Sequence, residues 1–329
     1  MVMSNCSSPR SAQLNGSEIH NTDGRFNNDR GVESPSLTHT SDLEPPPASK
    51  LPTSLKNVVM SIPNIKNTAG GTPMPDVQAS RDVRRIAIDR VGVKDVTYPI
   101  RLRTKDGGEQ TTVASINMYV ALPDHQKGTH MSRFLEVLNE QTCEPLTPQK
   151  IPEIVRAICE KLNAEVAHFE CSFTYFIRKE APVTKMPGLM DYQVTFECMA
   201  NGVDEFFMSV AAPAASLCPC SKEISAYGAH NQRCRIEAKV KFKDLLWIED
   251  LVTILEDAAS CPVFAVLKRP DEKWVTERAY DNPKFVEDIV RDLALGLEAE
   301  DRVTWYSISS ENFESIHNHN AYAQLTRAK

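Results

Sequence analysis

The chain has no apolar run long enough to span a bilayer, which excludes an ordinary transmembrane helix. Its first ten residues, Met1 to Arg10, contain no apolar core, so no secretory signal is expected. It has no basic excess: 37 Lys and Arg against 44 Asp and Glu leave a net charge of −7. That balance excludes the basic footprint of a nucleic-acid binder, and neither nucleic acid nor membrane is expected as a partner. A disulfide framework is lacking too. The nine cysteines are odd in number and scattered, and they read as reduced thiols of a cytoplasmic protein. No Walker motif occurs, and no segment has the glycine density of a phosphate loop.

Residues 1 to about 72 are poor in aromatics and rich in Ser, Asn, Pro, Thr and Asp. Such a segment buries too little apolar surface to offset its chain entropy, so an unfolded extension is expected over 1–72. Only Leu51 to Ile65 is apolar enough to dock. Beyond it, Val96–Thr104 and Thr111–Leu122 read as strands around a Lys105-Asp-Gly-Gly turn. Met131–Glu140 reads as a short helix, and Thr147-Pro148 as the cap of a helix to about Leu162. Val166–Arg178 and Tyr192–Ala200 read as strands, with a hairpin turn at Asn201-Gly202. The second half runs similarly: strands over Glu205–Ala212 and Arg235–Phe242, then a helix over Trp247–Ala259. A second helix, capped by Asn282-Pro283, runs from Lys284 to Leu297 with Phe285, Ile289, Val290, Leu293 and Leu297 inward. Strands follow at Val303–Ile308 and Ala321–Leu325. A β-β-α-α-β-β order thus occurs twice, which predicts an α+β fold of two similar modules with antiparallel sheets.

The segment Ser216 to Arg233 carries the most chemistry. Cys218, Cys220 and His230 are ligand types that a borderline-soft cation such as Zn²⁺ prefers. The Cys-Pro-Cys spacing is too tight for both thiols to close on one ion. One of them, with His230 and a distant ligand, is expected to form an open, catalytic type of site. Leu267 to Glu277 reads as a charged loop, either plain solvated surface or the carrier of a carboxylate, Glu272 or Asp271, for the metal. His317 and His319 alternate, so on an extended segment both imidazoles share a face. Lys127 to Arg133 puts Lys and Arg beside a helix start, a pattern that suits phosphate as well as an ordinary capping loop. Glu287 stands four before Arg291, the spacing of a surface pair, and nothing local separates it from Asp288.

Together, Lys127–Phe134, Ser216–Arg233, Leu267–Tyr280, Asn282–Asp292 and Ser310–His319 resemble the GTP cyclohydrolase type IB family. The likeness runs from about Met74 to the C-terminus with the motifs in the family's order and spacing; Cys234 departs from it, standing where glycine is expected. The resemblance implies the tunnelling fold, with modules over 73–201 and 202–329. Four subunits would form barrels, with active sites between subunits. It implies a divalent metal, Zn²⁺, Mn²⁺ or Fe²⁺, on Cys218, His230 and Glu272, and Glu287 as the anchor of the guanine edge. His317 would move protons, or His230 if it is not a ligand. Cys220 would lie beside the metal in a redox or supporting role, and Lys127, His130, Arg133 and Arg233 would take the triphosphate. The implied reaction is hydrolytic opening of GTP at C8, giving formate and 7,8-dihydroneopterin triphosphate, the first step toward pterins and folate. Rival readings are an archaeal-type cyclohydrolase with a cyclic phosphate product, and a non-catalytic zinc- or pterin-binding scaffold. The nitrile reductase of the same fold is disfavoured, because its Glu-Ser-Lys-Ser type motif is missing.

Overall fold

The computed structural model describes residues 76–329. The expected unfolded extension over 1–72, with its Leu51–Ile65 segment, lies outside the described residues. A single antiparallel sheet organises the rest. Its first strands are β1 (Ile88–Arg103) and β2 (Glu109–Leu122), followed by the helices α1 (Met131–Gln141) and α2 (Ile151–Leu162). Next come β3 (Ala167–Glu180), β4 (Pro187–Asn201) and β5 (Val203–Leu217), the short helix α3 (Pro219–Ile224) and β6 (Asn231–Phe242). The chain continues through α4 (Ile248–Asp257), the two-residue β7 (Cys261–Pro262), α5 (Arg269–Asp281), α6 (Val286–Ala299), β8 (Val303–Asn312) and β9 (Ala321–Ala328). The spatial order is β1-β2-β3-β4-β5-β6-β8-β9, with β7 beside β5. Among the described residues, no helix is long and apolar enough to cross a membrane.

Strict alternation builds the core. In β3, Ala167, Phe169, Cys171, Phe173 and Tyr175 are buried while their neighbours are half-buried. Ile154, Val155 and Ile158 of α2 and Ile289, Leu293 and Leu297 of α6 belong to the same buried cluster. The opposite sheet face is polar and aromatic, with Lys239 bonded to Glu197 and Lys241 to Glu205, both at 2.7 Å. The Asn201-Gly202 turn is as expected: Asn201 pairs with Val203, and Gly202 takes φ +71, which a side chain would resist.

Several sequence expectations are corrected. The first strand begins at Ile88, eight residues before Val96, because register shifts at Ile88/Val91 and Val93/Val96 break its alternation. The strand after Gly202 runs on through Pro213 to Leu217; Pro213 follows the last β4 pair, Gln193 with Ala211. Thr147 makes no capping bond, and Pro148–Lys150 is a 3-10 turn ahead of α2. Asn282 does not cap α6; its amide donates to Ala259 O and Ser260 O at 3.0 Å each. Phe285 is exposed at the start of α6 rather than inward.

Cys234 adds a small buried thiol to the core face of β6, opposite Ala214. Burial pushes its thiol up to about 12, as it does for Cys171 and Cys198, and pushes Cys261 up to about 11. The reactive form is the thiolate. Iodoacetamide at pH 8 is therefore expected to leave these four thiols unlabelled until the protein is denatured. Peptide mass spectrometry reads the result, and native labelling of Cys234 would contradict the packing.

Candidate active site

Strands β5 and β6 bring the Cys/His segment to one end of the sheet. Leu217 pairs with Asn231, and just beyond them the Cys218 N–H donates to His230 O at 3.2 Å. The intervening chain makes one short helix, with Cys218 at its N-cap and Pro219 in its first turn, where a missing N–H costs nothing. Ser221 ties both ends together. Its N–H donates to Cys218 Sγ (3.5 Å), and its hydroxyl donates to Cys218 O and accepts from the His230 N–H, both at 3.1 Å. Cys218 is half-buried and Cys220 exposed. Residues two apart at a helix start do not share a face, so the geometry offers one thiol, not two, to a site beside His230.

The imidazole of His230 is held on one side. Its Nδ1 lies 2.9 Å from Gln232 Oε1 and 3.2 Å from Ser315 Oγ. Gln232 Nε2 in turn donates to Glu314 Oε1 at 3.3 Å. The sulfur of Cys218 and Nε2 of His230 remain as donors, a soft sulfur and an imidazole nitrogen. That donor pair fits Zn²⁺, Fe²⁺ or Mn²⁺ with further ligands added. Glu272 is not beside them. It is exposed on α5, 3.8 Å from Arg269. It lies about 12 Å along the helix axis from Tyr280, where α3 touches α5 through the Lys222 ammonium on Tyr280 O (2.5 Å). Among the described residues, no three His, Cys, Asp or Glu side chains stand close enough to hold an ion within one chain.

The charged loop expected over Leu267 to Glu277 is instead most of a helix, α5. Only Asp271 and Ala279 of this helix are buried, so no apolar stripe betrayed it. The legible signals were Pro270 with Asp271 and Glu272 in the first turn, and Arg278 in the last. Asp271 starts the helix and is not available as a metal ligand. Its carboxylate accepts the N–H groups of Val183, Thr184 and Lys268 at 2.9 Å each and the Thr184 hydroxyl at 2.6 Å. Burial alone would raise this carboxyl. The hydrogen bonds from Thr184, Lys268 and Val183 outweigh it and hold the group far below the usual carboxylate range. A depressed folded pKa contributes stability above the unfolded value, lost as pH falls through the folded one. The anchor therefore survives acidification past the ordinary carboxylate range. Asp271→Ala is expected to lower Tm by on the order of 5 °C at pH 7, read by calorimetry. An unchanged Tm would mean that α5 needs no such anchor.

Glu287 and Asp288 are separated by the structure. Asp288 accepts the Phe285 N–H at 3.1 Å and pairs with Arg291 at 2.9 Å, so the expected Glu287–Arg291 pair is replaced by Asp288–Arg291. Glu287 is exposed in the first turn of α6. That turn is tied to the Cys218 end of β5. The Lys284 N–H donates to Leu217 O (3.0 Å), Ser216 Oγ donates to Lys284 O (3.1 Å), and Asn312 Nδ2 donates to Ser216 Oγ (3.1 Å). Lys284 itself is anchored by Ala258 O and by Asp292 at 2.7 Å.

His317 and His319 lie on the exposed loop between β8 and β9, not on an extended strand. Their rings stack, with centroids 5.1 Å apart and planes at 20°. The same loop supplies Glu314 and Ser315, so His317 belongs to the Cys218–His230 end of the sheet. Arg233 points away from the core face of β6 and lines a cleft of about 440 Å³ with Gln193, Arg235 and Phe313. Lys127, His130 and Arg133 are elsewhere. They follow the end of β2, which through β3 and β4 neighbours the start of β5. Cys218 follows the far end of β5, about 40 Å along the strand. There His130 bonds Asp76 at 3.1 Å, and Lys127 sits in a small cleft with Asp82 and Arg84. One chain brings Cys218, His230, the start of α6 and the His317 loop to one end of the sheet, and leaves the Lys127 cluster at the other. Gln232, Glu314 and Ser315 were not singled out by sequence. The signals were present: Gln232 is two residues from His230 on a strand, and Glu314-Ser315 adjoins His317.

Comparison with known proteins bears on these residues as a set. A family model described as type I GTP cyclohydrolase folE2 matches residues 74–323. The GTP cyclohydrolase FolE2 of Nitrosococcus oceani is 54% identical over 258 residues, 78% of this chain and 96% of that protein. That of Azoarcus sp. is 54% identical with the same coverage, and that of Magnetococcus marinus is 54% identical over 252 residues, 76% of this chain and 95% of that protein. Among solved structures, urate oxidase from Bacillus sp. TB-90 is a remote likeness, at TM-score 0.44 and 8% identity, covering 74% of this chain and 100% of that one.

Proposed function

The chain belongs to the type I GTP cyclohydrolase FolE2 family and has GTP cyclohydrolase I activity, and on that premise we propose how its residues divide the reaction. GTP is the substrate; formate and 7,8-dihydroneopterin triphosphate are the products, at the entry to folate synthesis. The observation that carries the assignment is the convergence of Cys218, His230, the α6 start and the His317 loop at one end of the sheet.

Cys218 and His230 would hold a divalent ion, Zn²⁺, Mn²⁺ or Fe²⁺, together with Glu272, which stands apart from them within the one described chain; when bound, the ion would supply Lewis acidity for the attack of water at C8. Glu287 accepts two parallel hydrogen bonds from N1–H and the 2-amino group of guanine; adenine cannot make this pair. The exposed imidazole of His317 carries a proton to the purine nitrogen freed as C8 leaves. Cys220, exposed beside Cys218, takes a supporting or redox role.

Arg233 and its cleft, with Lys127, His130 and Arg133, bind the triphosphate. The separation of Lys127 from Cys218 within one chain supports a site built from more than one copy. Strands β1 and β9 are the two open edges of the sheet, and pairing edge to edge would close it into a ring. The modules 73–201 and 202–329 would then repeat around a barrel in a homotetramer. Eight described cysteines, all free, support a reducing, cytoplasmic setting.

The test is direct. Strip the protein with chelator, restore Mn²⁺ or Zn²⁺, supply GTP, and measure oxidised-pterin fluorescence and formate together. Metal-dependent appearance of both is the expected result. A cyclic phosphate product, or neither product from folded, metal-loaded protein, would overturn the reading.

A further inference from the structure

Gln232 is an anomaly in the core face of β6. The positions that follow it on that face are Cys234, Ile236, Ala238 and Val240, whereas Gln232 is an amide only 8% exposed. A buried amide persists where its hydrogen bonds are met, and these are met directionally. Glu314 Oε1 lies 3.3 Å from Gln232 Nε2. A carboxylate only accepts, so it sets which end of the amide faces it. The other end, Oε1, is then directed at His230 Nδ1, 2.9 Å away. An amide oxygen also only accepts, so the proton must sit on Nδ1. Ser315 Oγ, 3.2 Å from the same nitrogen, is a second acceptor for it. His230 and Gln232 lie two apart along the strand direction and project to one side, so the contact is built into the backbone.

We propose that Gln232, oriented by Glu314, is a positioning residue that locks neutral His230 as the Nδ1–H tautomer, with the lone pair on Nε2 facing the metal. This rests on His230 being a metal ligand. Partners of this kind around ligand histidines are worth about 10–100-fold in metal affinity. The chain thus reaches from the β8–β9 loop to the ion through two side chains that never touch it.

Two readouts test the proposal on the full chain. Histidine ¹⁵N spectra of the metal-free protein, with the His230 signal identified by its loss in His230→Gln, report the tautomer. Zn²⁺ titrated against a chromophoric chelator reports affinity. Wild type is expected to show Nδ1–H. Gln232→Leu is expected to give mixed tautomers and Zn²⁺ binding about 10–100-fold weaker. Glu314→Ala, on the loop and outside the sheet, is expected to move both readouts the same way by less, and decides the matter if Gln232→Leu does not fold. The exchange Gln232→Glu with Glu314→Gln swaps donor and acceptor between the two and is expected to restore Nδ1–H. Protonated Nε2 in the wild type, or a tautomer and affinity unmoved by both single variants, would overturn the proposal. A wild type that keeps Nδ1–H but does not bind Zn²⁺ would instead sink the metal reading and leave the tautomer lock standing.

Discussion

Glu287→Ala is expected to lower kcat/KM for GTP by about 10³-fold or more while the fold and assembly persist. The two effects separate because Glu287 plays little part in the fold. It is exposed in the first turn of α6, and the capping bond of that turn belongs to Asp288, which also pairs with Arg291. The favourable position of a carboxylate near a helix N-terminus is worth about 0.5 kcal/mol, too little to unfold a domain. In the proposed enzyme–substrate complex the same carboxylate would face two donors on guanine. Removing it leaves both desolvated and unpaired, the costly side of a hydrogen-bond deletion. Glu287→Gln is expected to fare little better, because its amide turns a donor toward a donor. Steady-state kinetics with GTP, beside a melting curve and sedimentation, check the prediction. Full turnover in the folded alanine variant would remove Glu287 from the substrate site.

Cys218→Ser is expected to abolish stoichiometric Zn²⁺ binding and to lower turnover by about 10³-fold or more. Serine is a preferred N-cap, so it can keep the start of α3 that Cys218 now caps. The strand-end bond from the residue 218 N–H to His230 O uses backbone only and survives the exchange. What is lost is the sulfur, the softest donor atom beside His230. Cys220→Ser is expected to leave the metal count unchanged, since Cys220 is exposed and on a different side of the turn. Metal analysis of both purified variants decides between the thiols. Equal metal content in Cys218→Ser and wild type would refute the assignment of Cys218.

The fold was legible wherever alternation or a helical stripe was clean. β3, with its unbroken row of Ala167, Phe169, Cys171, Phe173 and Tyr175, is found within two residues of its expected bounds. α2 ends at Leu162 as expected, where Asn163 adopts the left-handed conformation that stops a helix. α5 carried only end signals and no apolar stripe, for a physical reason. It is a nearly solvent-borne helix whose buried polar residue, Asp271, is bound by a distant turn at Val183 and Thr184, eighty-odd residues earlier. No local pattern carries that information.

The residues of the site divide in the same way. Cys218 and His230 stand out in the sequence as donor types, because ligand preference belongs to single side chains, whereas Glu287 and His317 are candidates through the family resemblance. The choice between neighbours was not. Asp288 rather than Glu287 caps α6, and Asp271 rather than Glu272 anchors α5, because each choice depends on which backbone N–H lies within reach. The sequence by itself determined the order of the long strands and of the helices with an apolar stripe, the family and the inventory of reactive groups, all set by local periodicity and side-chain identity. Only the tertiary structure decided that Cys218 and His230 meet at one strand end, that Gln232 and Glu314 hold the imidazole, and that Lys127 lies at the other end of the sheet. Those facts follow from strand register and sheet order, which are set by contacts between residues far apart in the chain.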